Sequence, residues 1–137
     1  MNFRNKTVLI TGASSGIGMA LAREFASLGA NIVMGARGED KLAELAAELA
    51  TKGVETVYRR TDVSSQDDCK ALVEAGVEKF GGIDVCICNA GISMRALYDD
   101  VDMSVIHRLM DVNFWGTAYT VKYALPYIQK SHGSIEG

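Results

Sequence analysis

The chain has 137 residues, enough for one domain and hardly two. Apolar residues make up 48% and charged residues 23%, as in ordinary globular proteins, and a formal net charge of −3 gives no electrostatic pull toward nucleic acid or an anionic membrane. No apolar run approaches the roughly 20 residues of a membrane span, and residues 1–6 lack the apolar core of a secretory leader, so neither partner is expected and a cytoplasmic location is.

Residues 6–18 read K-T-V-L-I-T-G-A-S-S-G-I-G. Val8, Leu9 and Ile10 form a short buried strand, a Gly-rich turn follows, and a helix starts. Glycines let the backbone turn tightly and approach an anion with no Cβ in the way. A helix N-terminus adds unpaired N–H groups and a positive dipole end. Gly12, Gly16 and Gly18 are spaced G-x-x-x-G-x-G, which differs from the G-x-G-x-x-G dinucleotide fingerprint. No Gly-Lys-Ser/Thr follows, which disfavours a nucleoside-triphosphate loop.

A helix is predicted over 17–28, with Ile17, Leu21, Phe25 and Leu28 on one stripe and Gly29 as its stop. Residues 31–36 form a second strand. A turn at 37–40 follows, where Asp40 is expected to help cap a helix over 41–52 that buries Leu42, Leu45, Ala46 and Leu49. Gly53 ends it. Residues 55–60 form a third strand, followed by Asp62-Val63. Ser65 and Asp68 resemble a capping box opening a helix to Phe80, with Cys69, Leu72, Val73 and Val77 inward. Gly81-Gly82 stop it. The strand at 83–89 is nearly all apolar, as expected for burial on both faces, and ends in the turn Asn89-Ala90-Gly91.

Cys86 and Cys88 lie two apart on that strand and face one side, too close along the chain for an ordinary disulfide. With Cys69 they read as small buried hydrophobes in a reducing cytosol. His107 and His132 show no metal-ligand spacing, and no metal is expected. Residues 92–102 read as a loop whose Asp99, Asp100 and Asp102 are solvated. Residues 103–130 read as a long bent helix, with Val105, Ile106, Leu109, Met110 and Val112 on one stripe. Pro126 is expected to kink it or weaken its last turn. Residues 134–137 begin a fifth strand.

Strands alternating with 10–15-residue helices imply right-handed βαβ units and a parallel sheet covered on both faces. Ligands of such sheets bind at the carboxyl ends of the strands. The Gly-rich turn, Arg37, Asp62-Val63 and Asn89-Ala90-Gly91 all fall at such ends.

Four motifs then resemble the N-terminal half of a short-chain dehydrogenase/reductase: T-G-A-S-S-G-I-G at 11–18, Asp62-Val63, N-A-G at 89–91, and Asp111-Val112-Asn113. They occur in that family's order and at about its spacing. The resemblance implies an α/β fold, a Rossmann-like doubly wound parallel sheet of strand order 3-2-1-4 with a fifth strand only begun. It implies one NAD(P)-binding domain over 1–137, cut at its C-terminal end. It further implies that Gly12, Gly16 and Gly18 line a pyrophosphate, with the Ile17 backbone at the nicotinamide side and Ser14 and Ser15 in the same binding loop. Asp62 and Val63 would hold the adenine. Asn89, Ala90 and Gly91 would stabilise the sheet and contact a cofactor ribose. Asn113 is the one catalytic candidate, the Asn of the family's Asn-Ser-Tyr-Lys set, ordering a water of a proton relay.

An NAD site usually places a carboxylate at the end of the second strand, to accept from the ribose hydroxyls. Ala36 stands there and Arg37 follows it. An Arg can pair with a 2′-phosphate, and the missing carboxylate removes repulsion; Ser14 is placed to donate as well. NADP is therefore expected over NAD.

The family's catalytic Ser and its Tyr-x-x-x-Lys pair have no counterpart in the chain: none of Tyr58, Tyr98, Tyr119, Tyr123 and Tyr127 has a Lys four residues on. Glu136 also departs, standing where the family's fifth strand is apolar. The expected full-length parent is an oxidoreductase moving hydride between NADP(H) and a small-molecule carbonyl or alcohol, with this chain inactive alone. The alternative is a non-catalytic dinucleotide-binding module. The helix around Trp115 resembles the family's subunit-contact helix, so a homo-oligomer is expected.

Overall fold

In the computed structural model, residues 3–89, 115–131 and 133–136 are described. Ala90, Gly91, Asn113, the two histidines, the loop read at 92–102 and the first part, 103–114, of the helix predicted over 103–130 lie outside them.

The elements alternate. β1 (Thr7–Thr11) leads to α1 (Gly16–Ser27), β2 (Asn31–Ala36) to α2 (Glu39–Ala50), β3 (Thr56–Arg60) to α3 (Gln66–Phe80), and β4 (Val85–Cys88) is followed by α4 (Gly116–Ser131) and β5 (Ser134–Glu136). The sheet order is β3-β2-β1-β4-β5, and all four pairings are parallel. This is the expected doubly wound sheet, and its fifth strand is formed, with Cys86 opposite Ile135 and Ile87 opposite Glu136.

Period-two alternation sorts the strand residues into two cores. Val8, Ile10, Ile32 and Met34 pack with Leu42, Leu45 and Leu49 of α2 and Ala22 and Ala26 of α1. Leu9, Val33 and Cys86 face the other way, onto Leu72 and Val73 of α3 and Ala124 and Ile128 of α4. Helix on both faces leaves the strand ends as the rim where loops meet. Helix ends follow the glycines: Gly29, Gly53 and Gly81 all have positive φ, where a side chain would be strained.

Several local expectations need correcting. The buried line of α1 is Gly18, Ala22 and Ala26, one residue on from the predicted stripe. Small residues let the helix lie close to the sheet, so the larger Leu21 and Phe25 flank the contact, and Ile17 is left 70% exposed. Helix α2 begins at Glu39 with Gly38 as its N-cap and no side-chain cap. Asp40 therefore sits within the first turn, where its charge favours the dipole instead. The capping box before α3 is half formed: Ser65 Oγ accepts from Asp68 N–H at 3.2 Å. The Asp68 carboxylate instead takes the N–H of Asp62 at 2.9 Å. Strand β4 starts at Val85, two residues later than predicted, because Asp84 turns its carboxylate onto Thr7 N–H at 2.8 Å. Pro126 lies inside α4, as expected, and the helix runs on to Ser131.

Candidate functional site

The rim at the carboxyl ends of β1, β2 and β4 is held by one hydrogen-bond network. Gly12 turns the chain out of β1 with φ +69°. Ser15 caps α1. Its Oγ donates to the Gly12 carbonyl at 2.8 Å and accepts from Gly18 N–H at 3.2 Å. Asn89, one residue past β4, donates from Nδ2 to the Gly12 carbonyl at 3.3 Å and to Ser15 Oγ at 3.2 Å. Its own N–H goes to Thr11 Oγ1 at 3.1 Å. One hydroxyl donor and both acceptor positions of Ser15 are thus used within the loop. Its side chain shapes the turn.

Removing the Asn89 amide should loosen this arrangement. Asn89→Ala is expected to lower stability by about 1–2 kcal/mol, the worth of two neutral hydrogen bonds, seen as a lower urea midpoint. An unchanged midpoint would mean the loop holds itself.

The glycines of the loop differ in kind. A Cβ on Gly18 would run into the Gly12 carbonyl and come within 2.9 Å of Ala13 Cα. A Cβ on Gly16 would meet nothing within 4 Å. Gly18 is therefore demanded by the fold, whereas Gly16 borders open space at the helix N-terminus. The N–H groups of Gly16 and Ile17 lie in the first turn, where no intrahelical carbonyl is available.

The second turn converges on the first. Ala13 N–H donates to the Gly35 carbonyl at 3.3 Å, and a Cβ on Gly38 would lie 3.4 Å from Ser14 Oγ. Ser14 therefore neighbours the turn that carries Arg37. Arg37 is exposed, and among the described residues it is in neither of the ion pairs, Arg23–Glu48 and Lys70–Glu74. The third turn is tied in through Thr61, whose N–H donates to the Ala36 carbonyl at 2.8 Å. Asp62 Oδ1 accepts from both N–H and Oγ of Ser64, at 3.0 and 2.6 Å. Val63 is buried and lies against Gly116, where a Cβ would come within 2.7 Å of its Cγ2.

Of the residues singled out from the sequence, Gly12, Ser14, Ser15, Gly16, Ile17, Gly18, Arg37 and Asn89 gather at one rim, with Asp62 and Val63 at the adjoining turn. Ala90, Gly91 and Asn113 lie outside the described residues. Sequence reasoning passes over Thr11, Gly35, Thr61 and Gly116 as individual residues. A signal for Gly35 exists, since a glycine inside a strand marks a close approach. The threonines at strand ends carry none.

A glycine-rich turn feeding a helix N-terminus, at the carboxyl rim of a doubly wound parallel sheet, is the Rossmann-type arrangement at which ligands of such sheets bind. The short chain dehydrogenase family model matches residues 6–135, and the chain belongs to that family of oxidoreductases. It is 42% identical over 138 residues to 11-beta-hydroxysteroid dehydrogenase 1A of Arabidopsis thaliana, covering 98% of this chain and 39% of that protein. It is 41% identical over 136 residues to 11-beta-hydroxysteroid dehydrogenase A of Arachis hypogaea, with the same two coverages of 98% and 39%. An alcohol dehydrogenase from the archaeon Thermococcus sibiricus, complexed with 5-hydroxy-NADP, superposes with a TM-score of 0.90 at 34% identity, covering 95% of this chain and 56% of that one. A short chain dehydrogenase/reductase from Burkholderia phymatum in complex with NAD gives 0.91 at 31% identity, covering 98% and 49%. The chain thus spans about two fifths of these curated relatives and about half of the solved structures. Among the described residues no helix is long and apolar enough to cross a membrane.

Proposed function

We propose that the chain is a single cofactor-binding domain, over 1–137, of an oxidoreductase that moves hydride between NADP(H) and a small-molecule carbonyl or alcohol. The relatives' names, hydroxysteroid and alcohol dehydrogenases, support a hydroxyl-bearing or carbonyl substrate. The rim fits the cofactor. Open space at Gly16, the first-turn N–H groups of α1 and the exposed Ile17 suit an anionic pyrophosphate and the nicotinamide half beyond it. When bound, the cofactor supplies or accepts the hydride.

The chain's own residues bind and orient. Gly12, Gly16 and Gly18 keep the loop low, Ser15 and Asn89 hold its shape, and Ser14 and Arg37 face the 2′ group. Asp62 and Val63 flank the adenine, with Ala90 and Gly91 at the ribose. Asn113 is assigned the ordering of a relay water. No Tyr-x-x-x-Lys is present in the 137 residues to carry the substrate proton, so the chain by itself is read as binding without turnover. A cytoplasmic setting agrees with three cysteines that form no disulfide. Self-association through α4 agrees with Leu125, 38% exposed, and with Trp115, 45% exposed and stacked 5.9 Å from Tyr119.

The observation that carries the NADP reading is Arg37 beside Ala36: an exposed guanidinium, in no ion pair among the described residues, next to a position with no carboxylate. Arg60 is the register partner of Ala36 and is exposed too, adding positive potential. Arg37→Ala is expected to weaken NADPH binding about 10- to 100-fold, the worth of one charge-assisted contact, with NADH binding unchanged. Fluorescence titration of both nucleotides checks this. NADH bound as tightly as NADPH by the unaltered chain would overturn the preference.

A further inference from the structure

We propose that Cys86 and Cys88 form a two-thiol site for trivalent arsenic compounds of the type R–As(OH)2. The two residues emerge on one face of β4, and their Sγ atoms are 4.0 Å apart. All three cysteines are free, and neither of this pair enters the hydrogen bonds of the nucleotide rim. Two sulfurs this close need only small rotations about χ1 to reach one arsenic atom. Cys69 does not share the pair. It lies on α3, where its thiol contacts the Val63 carbonyl at 3.4 Å and receives Thr120 Oγ1 at 3.6 Å.

The chemistry balances without a redox partner. Cys88 Sγ attacks arsenic, and its thiol proton leaves with one hydroxide as water. Cys86 Sγ closes the ring and a second water leaves. Two S–H and two As–O bonds break, two As–S and two O–H bonds form, and arsenic stays trivalent. Cys88 is the first attacker because it is the less buried of the pair; its hydrogen bond with Cys86, in which either sulfur can donate, and then burial push the Cys86 thiol up. Access is from the carboxyl end of β4. Cys86 is fully buried, but Cys88 is 9% exposed. Among the described residues, β5 pairs with Val85, Cys86 and Ile87, and β1 sets Thr11 beside Cys88. A local opening at that strand end admits the reagent.

Closure would also be felt at the rim. Cys88 precedes Asn89, whose N–H and amide hold Thr11, Gly12 and Ser15. This second consequence rests on the cofactor reading above, whereas the site itself does not.

The test adds phenylarsine oxide to the native, reduced chain, counts free thiols, and measures the adduct by mass spectrometry. One arsenic per chain and the loss of two of the three thiols are expected, both reversed by a competing small dithiol. Cys86→Ser and Cys88→Ser should each weaken capture about tenfold or more, and Cys69→Ser should leave it unchanged. Should a serine variant fail to fold, peptide mapping of the unaltered chain decides: arsenic anywhere but on the peptide carrying both cysteines overturns the proposal. So does an adduct that forms only after unfolding in urea. NADPH titration of the adduct is expected to show about tenfold weaker binding, and unchanged affinity sinks the coupling. Failure of the unmodified chain to bind NADPH would count against the cofactor reading and leave the thiol counts to decide the site.

Discussion

Gly18→Ala is expected to cost about 1–3 kcal/mol of stability and to abolish NADPH binding, while Gly16→Ala loses the binding and keeps the stability. The two glycines are two residues apart in one motif, and the difference between them is spatial. At Gly18 the added methyl meets backbone, the Gly12 carbonyl and Ala13 Cα, and backbone cannot rotate away as a side-chain tip can. Relief requires moving α1 off β1, which gives up the close packing of Ala22 and Ala26 on the sheet. It also breaks the bond from Gly18 N–H to Ser15 Oγ. At Gly16 the methyl meets nothing. There the substitution restricts the unfolded chain and suits a helix, so stability should stay equal or rise by up to about 1 kcal/mol. Its methyl would occupy the space read as the pyrophosphate's. Urea unfolding paired with NADPH titration separates the two effects. A Gly18→Ala chain as stable as its parent would show that the loop yields, and a Gly16→Ala chain that still binds would move the anion elsewhere.

The same contrast explains what can be read in advance. Periodicity and the glycines after helices place the elements from β1 to β4 within about two residues, because those signals are local: Gly29, Gly53 and Gly81 act through their own φ. The rim motifs are legible because strand–helix alternation fixes which turns meet. What stays hidden depends on tertiary partners. The buried face of α1 misleads because large apolar residues suggest the contact, while the close approach is made by Gly18, Ala22 and Ala26. Asp68 resembles half of a capping box in the sequence, but in the fold Asp62 N–H competes for its carboxylate. Nothing in the sequence near Gly116 says that Val63 lies against it. Asn89 can be named from its motif, but the bonds through which it holds Gly12 and Ser15 exist only once β1 and β4 lie side by side.

Leu72→Ala and Gly35→Ala are each expected to destabilise the chain, and the pair together by less than their sum. Leu72 is fully buried under the sheet, and its truncation should cost about 2–5 kcal/mol, transfer plus cavity. Gly35 sits inside β2 because a Cβ there would overlap Leu72 Cδ2 and come within 3.1 Å of Thr61 Oγ1. Gly35→Ala alone should cost about 1–3 kcal/mol through overpacking. In the double variant the methyl added at position 35 enters the space that the Leu72 truncation vacates, so the two costs should fall short of additivity by about 1 kcal/mol or more. The effect reaches the rim as well. The Gly35 carbonyl receives Ala13 N–H, and Thr61 N–H is fixed to the neighbouring Ala36 carbonyl. A β2 displaced by Gly35→Ala should therefore weaken NADPH binding, and the Leu72→Ala background should restore part of it, although that background is the less stable of the two. Stability and affinity moving in opposite directions in one cycle would tie the rim's geometry to this contact. Additivity within about 0.5 kcal/mol, with no recovery of binding, would show that Leu72 and Gly35 act apart and that the site is set by its loops alone.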